Sequence, residues 1–325
     1  MEQNSNYSTS AVSVERWNLM FRELKQAVSL PSENHPAAKV WKQSDLAGII
    51  TKIRKAHIDF LKSTFPPAKE IIARTLEMGW IQPIPVENPT AKVQVAYLVD
   101  MEATANDLPD PLEFLQGYEP LGVICHFGAL EFHELTTQEA AFYHIALLGK
   151  PISKSGQVII PRNSPSTISD KKPPNPLGTH LFDYQGIPCY TTQRDPSLVP
   201  GIQHRIIGSR TRLKITTFEQ TMLDALIHPR RCGGESVVFE AWERGTQRWD
   251  ASRMDKHLDA IGREDLERRV GAMLSVISRD IPAPLRNRLN FRKDACMAMS
   301  ADQTISLLHG FSYSNTLSEW LVDVP

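Results

Sequence analysis

The sequence predicts an α+β fold, an N-terminal winged helix-turn-helix followed by a mixed α+β C-terminal domain. Three observations carry that prediction. The chain has 325 residues, enough for two domains at roughly 150 residues each. Its N-terminal part reads as three helices followed by a two-stranded wing. Beyond residue 178 strands come first and helices later, a segregation that favours α+β over a doubly wound sheet.

The winged-helix reading spans residues 15–104, after a polar, flexible N-terminus at 1–14. From Glu15 to Leu30, Trp17, Leu19, Met20, Leu24 and Val28 recur near the helical period, and Pro31 ends the segment. A second helix starts at Ser44 or Asp45, either a suitable N-cap, and Leu46, Ile49, Ile50, Ile53, Ile58 and Leu61 recur at helical spacing. Pro66 and Pro67 stop it. Pro67 suits position N1 of a third helix, Ala68–Met78, with Ile71, Ile72 and Leu76 inward, Lys69, Glu70 and Arg74 outward, and Gly79 as C-cap. Strands at Trp80–Ile84 and Val93–Val99, joined by a turn holding Pro89, form the wing. The competing reading is a helical bundle capped by a hairpin.

The C-terminal domain, 105–325, opens with helices at Leu112–Leu115 and Gly122–His133 and a strand at Phe142–Leu147. A loop at 148–178 contains six prolines, with at most a short extended piece at Val158–Ile160. Strands follow at Thr179–Tyr184, Ile187–Gln193, Gln203–Ser209 and Arg212–Thr216, the first two joined by a Gln185-Gly186 turn. Helices at Thr217–Ile227, Gly234–Arg244, Ala251–Ile261 and Arg263–Ser278 come next.

Composition narrows the function. Apolar residues at 41% and charged residues at 22% exclude a mainly disordered chain. No run approaches the ~18 apolar residues that span a bilayer, and the first residues lack a secretion signal, so a cytoplasmic protein with no membrane partner is expected. Cys125, Cys189, Cys232 and Cys296 lie far apart with no CxxC, which suggests buried thiols. Phosphate-loop, dinucleotide, zinc-protease and hydrolase motifs are missing. Cys125, His126 and His133 lack a fourth metal ligand, and His180 with Asp183, His204 with Cys189, or Glu219 with Asp224 offer only incomplete hydrolytic or metal sites. No catalytic residue, metal or cofactor is predicted.

The net charge of −1 hides blocks of opposite sign. Residues 1–92 carry +3, 93–149 carry −9 with no Lys or Arg, 150–231 carry +7, and 232–325 carry −2. The basic stretch Lys52, Arg54, Lys55, His57, Lys62, Lys69 and Arg74 is the best pointer to a ligand, because lysine and arginine supply most non-specific affinity for DNA phosphates. On this reading Lys69 and Arg74 are presented by the recognition helix, and Lys52, Arg54, Lys55 and Lys92 contact phosphates.

Two further segments carry a family resemblance. One is Gly122–Gln138, with His133, Glu134, Leu135, Thr136 and Thr137 at its turn. The other is Ile215–Gly245, where Phe218 to Leu226 (FEQTMLDAL) precede Pro229 and Gly233-Gly234. Together with Ser314–Pro325 and its Trp320, they make the chain from about residue 40 onward resemble the AbiEi antitoxins and AbiEi-like transcriptional regulators. In this resemblance Glu219, Thr221, Leu223, Asp224, Gly233 and Gly234 are the family-motif residues. It departs from the family in a longer N-terminal part and in a wing whose basicity is reduced to Lys92.

The resemblance implies a winged helix on operator DNA, with self-association on inverted repeats, and a C-terminal domain that neutralises a cognate nucleotidyltransferase-type toxin. The motif also has a structural reading. Thr217 can cap the helix, Glu219 sits in its first turn, and Met222, Leu223 and Leu226 form its buried side. The alternatives are a protein-interaction module without DNA binding, docked through the −9 segment or the C-terminal surface, and a cryptic metal-dependent nuclease.

Overall fold

In the computed structural model the described residues are 3–61, 65–99, 108–149, 175–207 and 210–325, with side chains from residue 14 onward. They sort into two units, residues 1–121 with Arg205–Leu213, and Gly122–His204 with Lys214–Pro325. The first unit therefore runs past the expected boundary at 104 and takes in the far end of a later hairpin. No helix among the described residues is long and apolar enough to cross a membrane.

In the first unit, α1 (Gln3–Val28) starts at Gln3 rather than Glu15. It is followed by β1 (Val40–Lys42), α2 (Gln43–Ala56), the single turn α3 (Ile58–Leu61) and α4 (Ala68–Glu77). Then come β2 (Gln82–Pro83), β3 (Ala96–Leu98) and α5 (Pro111–Tyr118). The three strands form an antiparallel sheet in the order β1-β3-β2, with both Val40 and Gln82 opposite Leu98. Met20, Leu24, Leu46, Ile50, Ile71, Ile72 and Tyr97 make the shared core. Pro67 occupies the N-cap of α4 instead of N1, in an extended conformation that its ring fixes without strain.

One residue far away in sequence closes this unit. Arg210 donates to the carbonyls of Val28 and Ser29 at the end of α1, to Val99 after β3, and to Ala38, at 3.0–3.4 Å. Carbonyls at a helix C-terminus have no acceptor duty inside the helix, and a guanidinium meets both their hydrogen-bonding need and the dipole.

The second unit is built on a mixed six-stranded sheet in the order β6-β7-β5-β4-β9-β8. Its strands are β4 (Val123–Cys125), β5 (Tyr143–Leu148), β6 (Thr179–Tyr184), β7 (Ile187–Arg194), β8 (Ile202–Ile207) and β9 (Thr211–Thr216). The expected helix Gly122–His133 is a strand followed by the short α6 (Phe127–Phe132). Val123, Ile124 and Cys125 are buried without alternation, and an unbroken apolar triplet does not separate strand from helix. Gln185 and Gly186 both have positive φ, as a tight hairpin turn requires. Residues 150–174, including the extended piece expected at Val158–Ile160, lie outside the described residues.

Five helices follow: α7 (Phe218–Ile227), α8 (Glu235–Gly245), α9 (Ala251–Ile261), α10 (Glu264–Val276) and α11 (Ala283–Met297). A small sheet of β10 (Ile305–Ser306), β11 (Asn315–Leu317) and β12 (Val322–Val324), in the order β10-β12-β11, ends the chain. Buried Arg268 holds this end by donating to the Trp320 and Gln303 carbonyls at 2.8 and 2.9 Å. Trp320 itself lies flat against Gly271, where a Cβ would come within 2.4 Å of the indole.

Arg210→Met keeps most of the aliphatic stem while stranding the α1 carbonyls. Loss of these charge-assisted hydrogen bonds should cost about 2–3 kcal/mol. Chemical denaturation of wild type and variant, followed by fluorescence, reads the difference directly. An unchanged midpoint would show that the Arg210 contacts do not stabilise this unit.

Candidate functional site

On α4 the apolar residues dictate what remains outside. Ile71, Ile72 and Thr75 are buried, which turns Lys69, Glu70, Ala73, Arg74 and Glu77 to the surface. α2 likewise buries Leu46, Ile50 and Ile53 and exposes Lys52 and Lys55. Lys92 is exposed in the connection between β2 and β3. These four lysines are solvated cations.

The two arginines expected beside them are engaged with their own unit. Arg54 is half-buried and donates to the Phe65 carbonyl at 3.1 Å, tying the end of α2 to the residue before the Pro66-Pro67 turn. The Arg74 guanidinium lies over the Trp17 ring, 4.2 Å from its centroid. That stacking leaves the guanidinium edges able to meet an anion but fixes where they point.

The family-motif residues have a different environment. Every residue of α7 from Glu219 to Ile227 is buried. Thr217 caps the helix through the Gln220 N–H at 3.3 Å. Glu219 accepts from the Asp250 N–H at 2.9 Å and from Arg253 at 3.2 Å. The Thr221 hydroxyl bonds those of Thr216 and the Thr217 carbonyl at 2.7 and 2.8 Å. Asp224 receives both terminal nitrogens of Arg194 at 2.6 Å and the Gln220 amide at 2.9 Å. Leu223 is wholly in the core. Gly233 has φ +88°, and a Cβ there would come within 2.9 Å of the Phe127 ring, so only glycine fits. Gly234, at φ +94°, leads into α8.

Most of the weaker pairings dissolve. Glu219 and Asp224 are neutralised by separate arginines. His133 bonds the Thr216 carbonyl at 2.8 Å. His204 is exposed, whereas Cys189 is buried, with its thiol pushed up to about 12 by burial. His180 and Asp183 do meet, at 2.7 Å, on the outer strand β6. Among the described residues no three His, Cys, Asp or Glu side chains are arranged to hold a metal.

A cluster that sequence reasoning missed lies beneath the motif. His126 is fully buried, its ring 5.2 Å from that of His144 and 5.1 Å from that of His228. Cys232 Sγ is 4.0 Å from its Nδ1, and its Nε2 has no partner. The residue sits at φ 60° and ψ −131°, a region that costs a non-glycine residue about 1–3 kcal/mol. Burial and then the Arg194 charge hold the His126 and His228 pKa values well below the ordinary range. These residues come from four separate elements, so no local spacing announces them.

Asp224→Asn removes the charge that balances buried Arg194 while keeping the shape. A loss of about 3–5 kcal/mol is expected, since breaking a buried ion pair strands its partner. Equilibrium unfolding measures it, and a loss under about 1 kcal/mol would show that the pair is not fully desolvated.

Burial also lowers the pKa of His35 and His144 from 6.5 to about 4. Between those values the unfolded chain binds more protons, so stability is complete above pH 6.5 and declines as pH falls toward 4. Each histidine contributes a slope of about 1.4 kcal/mol per pH unit in that window. Melting curves across it should show a steady fall, made shallower by His144→Gln, whose amide can still donate to Leu177. An equally steep fall in that variant would place the acid sensitivity elsewhere.

No family model matches this chain, and no curated protein sequence does. A solved structure, the crystal structure of RV2827C protein from Mycobacterium tuberculosis, is similar at 12% identity over 87% of this chain and 85% of that one, with a TM-score of 0.48.

Proposed function

We propose that this protein is a non-enzymatic, cytoplasmic DNA-binding repressor and antitoxin of the AbiEi kind. The first unit binds operator DNA, and the second neutralises a nucleotidyltransferase-type toxin. The observation that carries the DNA reading is topological. Apart from the single turn α3, the order helix, strand, helix, helix, strand, strand with the sheet order β1-β3-β2 is similar to that of a winged helix, in which α4 would be the recognition helix. Lys69 and Arg74 lie on that helix, while Lys52, Lys55 and Lys92 flank it as phosphate contacts. Binding of more than one copy to inverted repeats would let the protein repress its own operon.

One observation favours a second reading. The exposed face of α4 pairs Lys69 and Arg74 with Glu70 and Glu77, so it carries no net charge. A neutral, mixed face suits a protein partner better than a phosphate backbone, and in that reading the first unit is a protein-interaction module.

Anisotropy titrations with the protein's own upstream region, beside an unrelated duplex of equal length, separate the two. With four lysines on phosphates, affinity for the upstream region should fall about a hundredfold between roughly 50 and 200 mM salt. The triple variant Lys52→Glu, Lys55→Glu, Lys69→Glu should lose specific binding with an unchanged circular dichroism spectrum. Equal, weak affinity for both duplexes would favour the protein-interaction reading. Rescue of growth on co-expression with a nucleotidyltransferase-type toxin, if one is encoded beside it, tests the antitoxin half.

A further inference from the structure

Residues 150–231 carry +7, of which Arg194 is balanced by Asp224 and Arg210 is engaged with backbone carbonyls. Two members of that block, Arg230 and Arg231, sit side by side in the short 3-10 turn after α7. They line a cavity of about 270 Å³, together with His228, His309, Gly310 and Pro176, and none of its lining residues among the described ones is acidic. Arg231 is half-buried, and among the described residues it makes one hydrogen bond, from Nε–H to the Pro176 carbonyl at 2.9 Å. Arg230 lies at the rim, exposed, 5.9 Å from the Phe311 ring.

A half-buried guanidinium without a carboxylate is costly. Burial, reinforced by the like charge of Arg194 and only partly opposed by the nearby thiols and Asp224, drives the Arg231 pKa downward. Behind the cavity wall the strained His126 holds an unpartnered Nε2 one ring away from His228. Strain and an unsatisfied buried polar atom in one place are features that folds retain mainly for binding. A phosphoryl group matches the cavity better than a lone carboxylate does, because its several oxygens can engage two adjacent guanidinium forks and an imidazole together.

We propose that this cavity binds a phosphoryl group, as free phosphate or as the terminal phosphate of a nucleotide, through Arg231 and Arg230 with His228 beside them. The site lies wholly within the second unit and does not depend on the DNA-binding reading of the first.

The test is isothermal titration calorimetry of the full chain at low ionic strength with inorganic phosphate and, separately, with ADP. Saturable binding at one site per chain is expected, weakened at least about tenfold by Arg231→Gln and by Arg230→Gln and unchanged by Lys52→Glu. The exposed Arg230 can be replaced without disturbing the core, so its variant remains informative if Arg231→Gln folds poorly. Equal affinity for both probes identifies free phosphate as the ligand, whereas much tighter ADP binding identifies a nucleotide. Lack of saturable binding for both probes at millimolar concentrations, or binding indifferent to both arginine variants, overturns the proposal.

Discussion

Helix α7 has no wet face, and the second unit is arranged around that constraint. A helix buried on every side must satisfy each polar side chain from neighbouring elements, because an unpaired buried group costs about 1–3 kcal/mol. Four of its polar residues, Glu219, Gln220, Thr221 and Asp224, thereby reach outward to fix other elements. Asp224 anchors the end of β7 through Arg194, Glu219 sets the start of α9 through the Asp250 N–H, and Gln220 reaches the Leu198 carbonyl. Trp242 of α8 closes the arrangement by donating to the Met222 carbonyl at 3.1 Å. The residues that carry the family resemblance are thus the ones that hold the unit together, which explains why a recognisable motif need not touch a ligand.

The legible elements were those with one wet face or a strong cap. The Gln185-Gly186 pair marked the turn between β6 and β7, and the cap at Thr217 marked α7. Three elements escaped for physical reasons. β1, with only Val40 and Trp41 buried, and the buried triplet β4 are too short to show a period. α11 buries only Leu285, Leu289 and Cys296, and it is held instead by ion pairs, with Arg288 reaching Asp255, Asp259 and Glu267 and Arg292 reaching Glu264 and Glu267. Apolar periodicity cannot reveal a helix fastened through its charges. The basic cavity was illegible for another reason: His228, Arg230 and Arg231 adjoin the motif in sequence, but only the fold brings Pro176 and His309 against them.

Charge counted along the chain proved a poor guide to charge on the surface. The −9 block looks like a docking face for a basic partner, yet several of its carboxylates are occupied internally. Asp110 caps α5, Glu113 bonds Thr211, Glu119 pairs with Lys42 at 3.6 Å, and Glu131 accepts from Tyr143 at 3.0 Å. The same holds in reverse for the basic stretch, where Arg54 and Arg74 are drawn onto Phe65 and Trp17 while the lysines stay in solvent.

That division between lysine and arginine follows from their chemistry. A guanidinium is weakly hydrated, planar and able to stack or fork, so it can be buried or half-buried against carbonyls, carboxylates and aromatic rings. An ammonium holds its water and stays outside unless paired. In the first unit the arginines Arg54, Arg74 and Arg210 are therefore internal ties, and any long-range attraction for phosphate falls to Lys52, Lys55, Lys69 and Lys92. In the second unit the order reverses. Arg194 and Arg268 are internal ties, but Arg230 and Arg231 face a cavity with no acidic wall among the described residues. The two proposed anion sites thus differ in kind: a solvated lysine face would depend on salt, and an arginine pocket on desolvation and geometry.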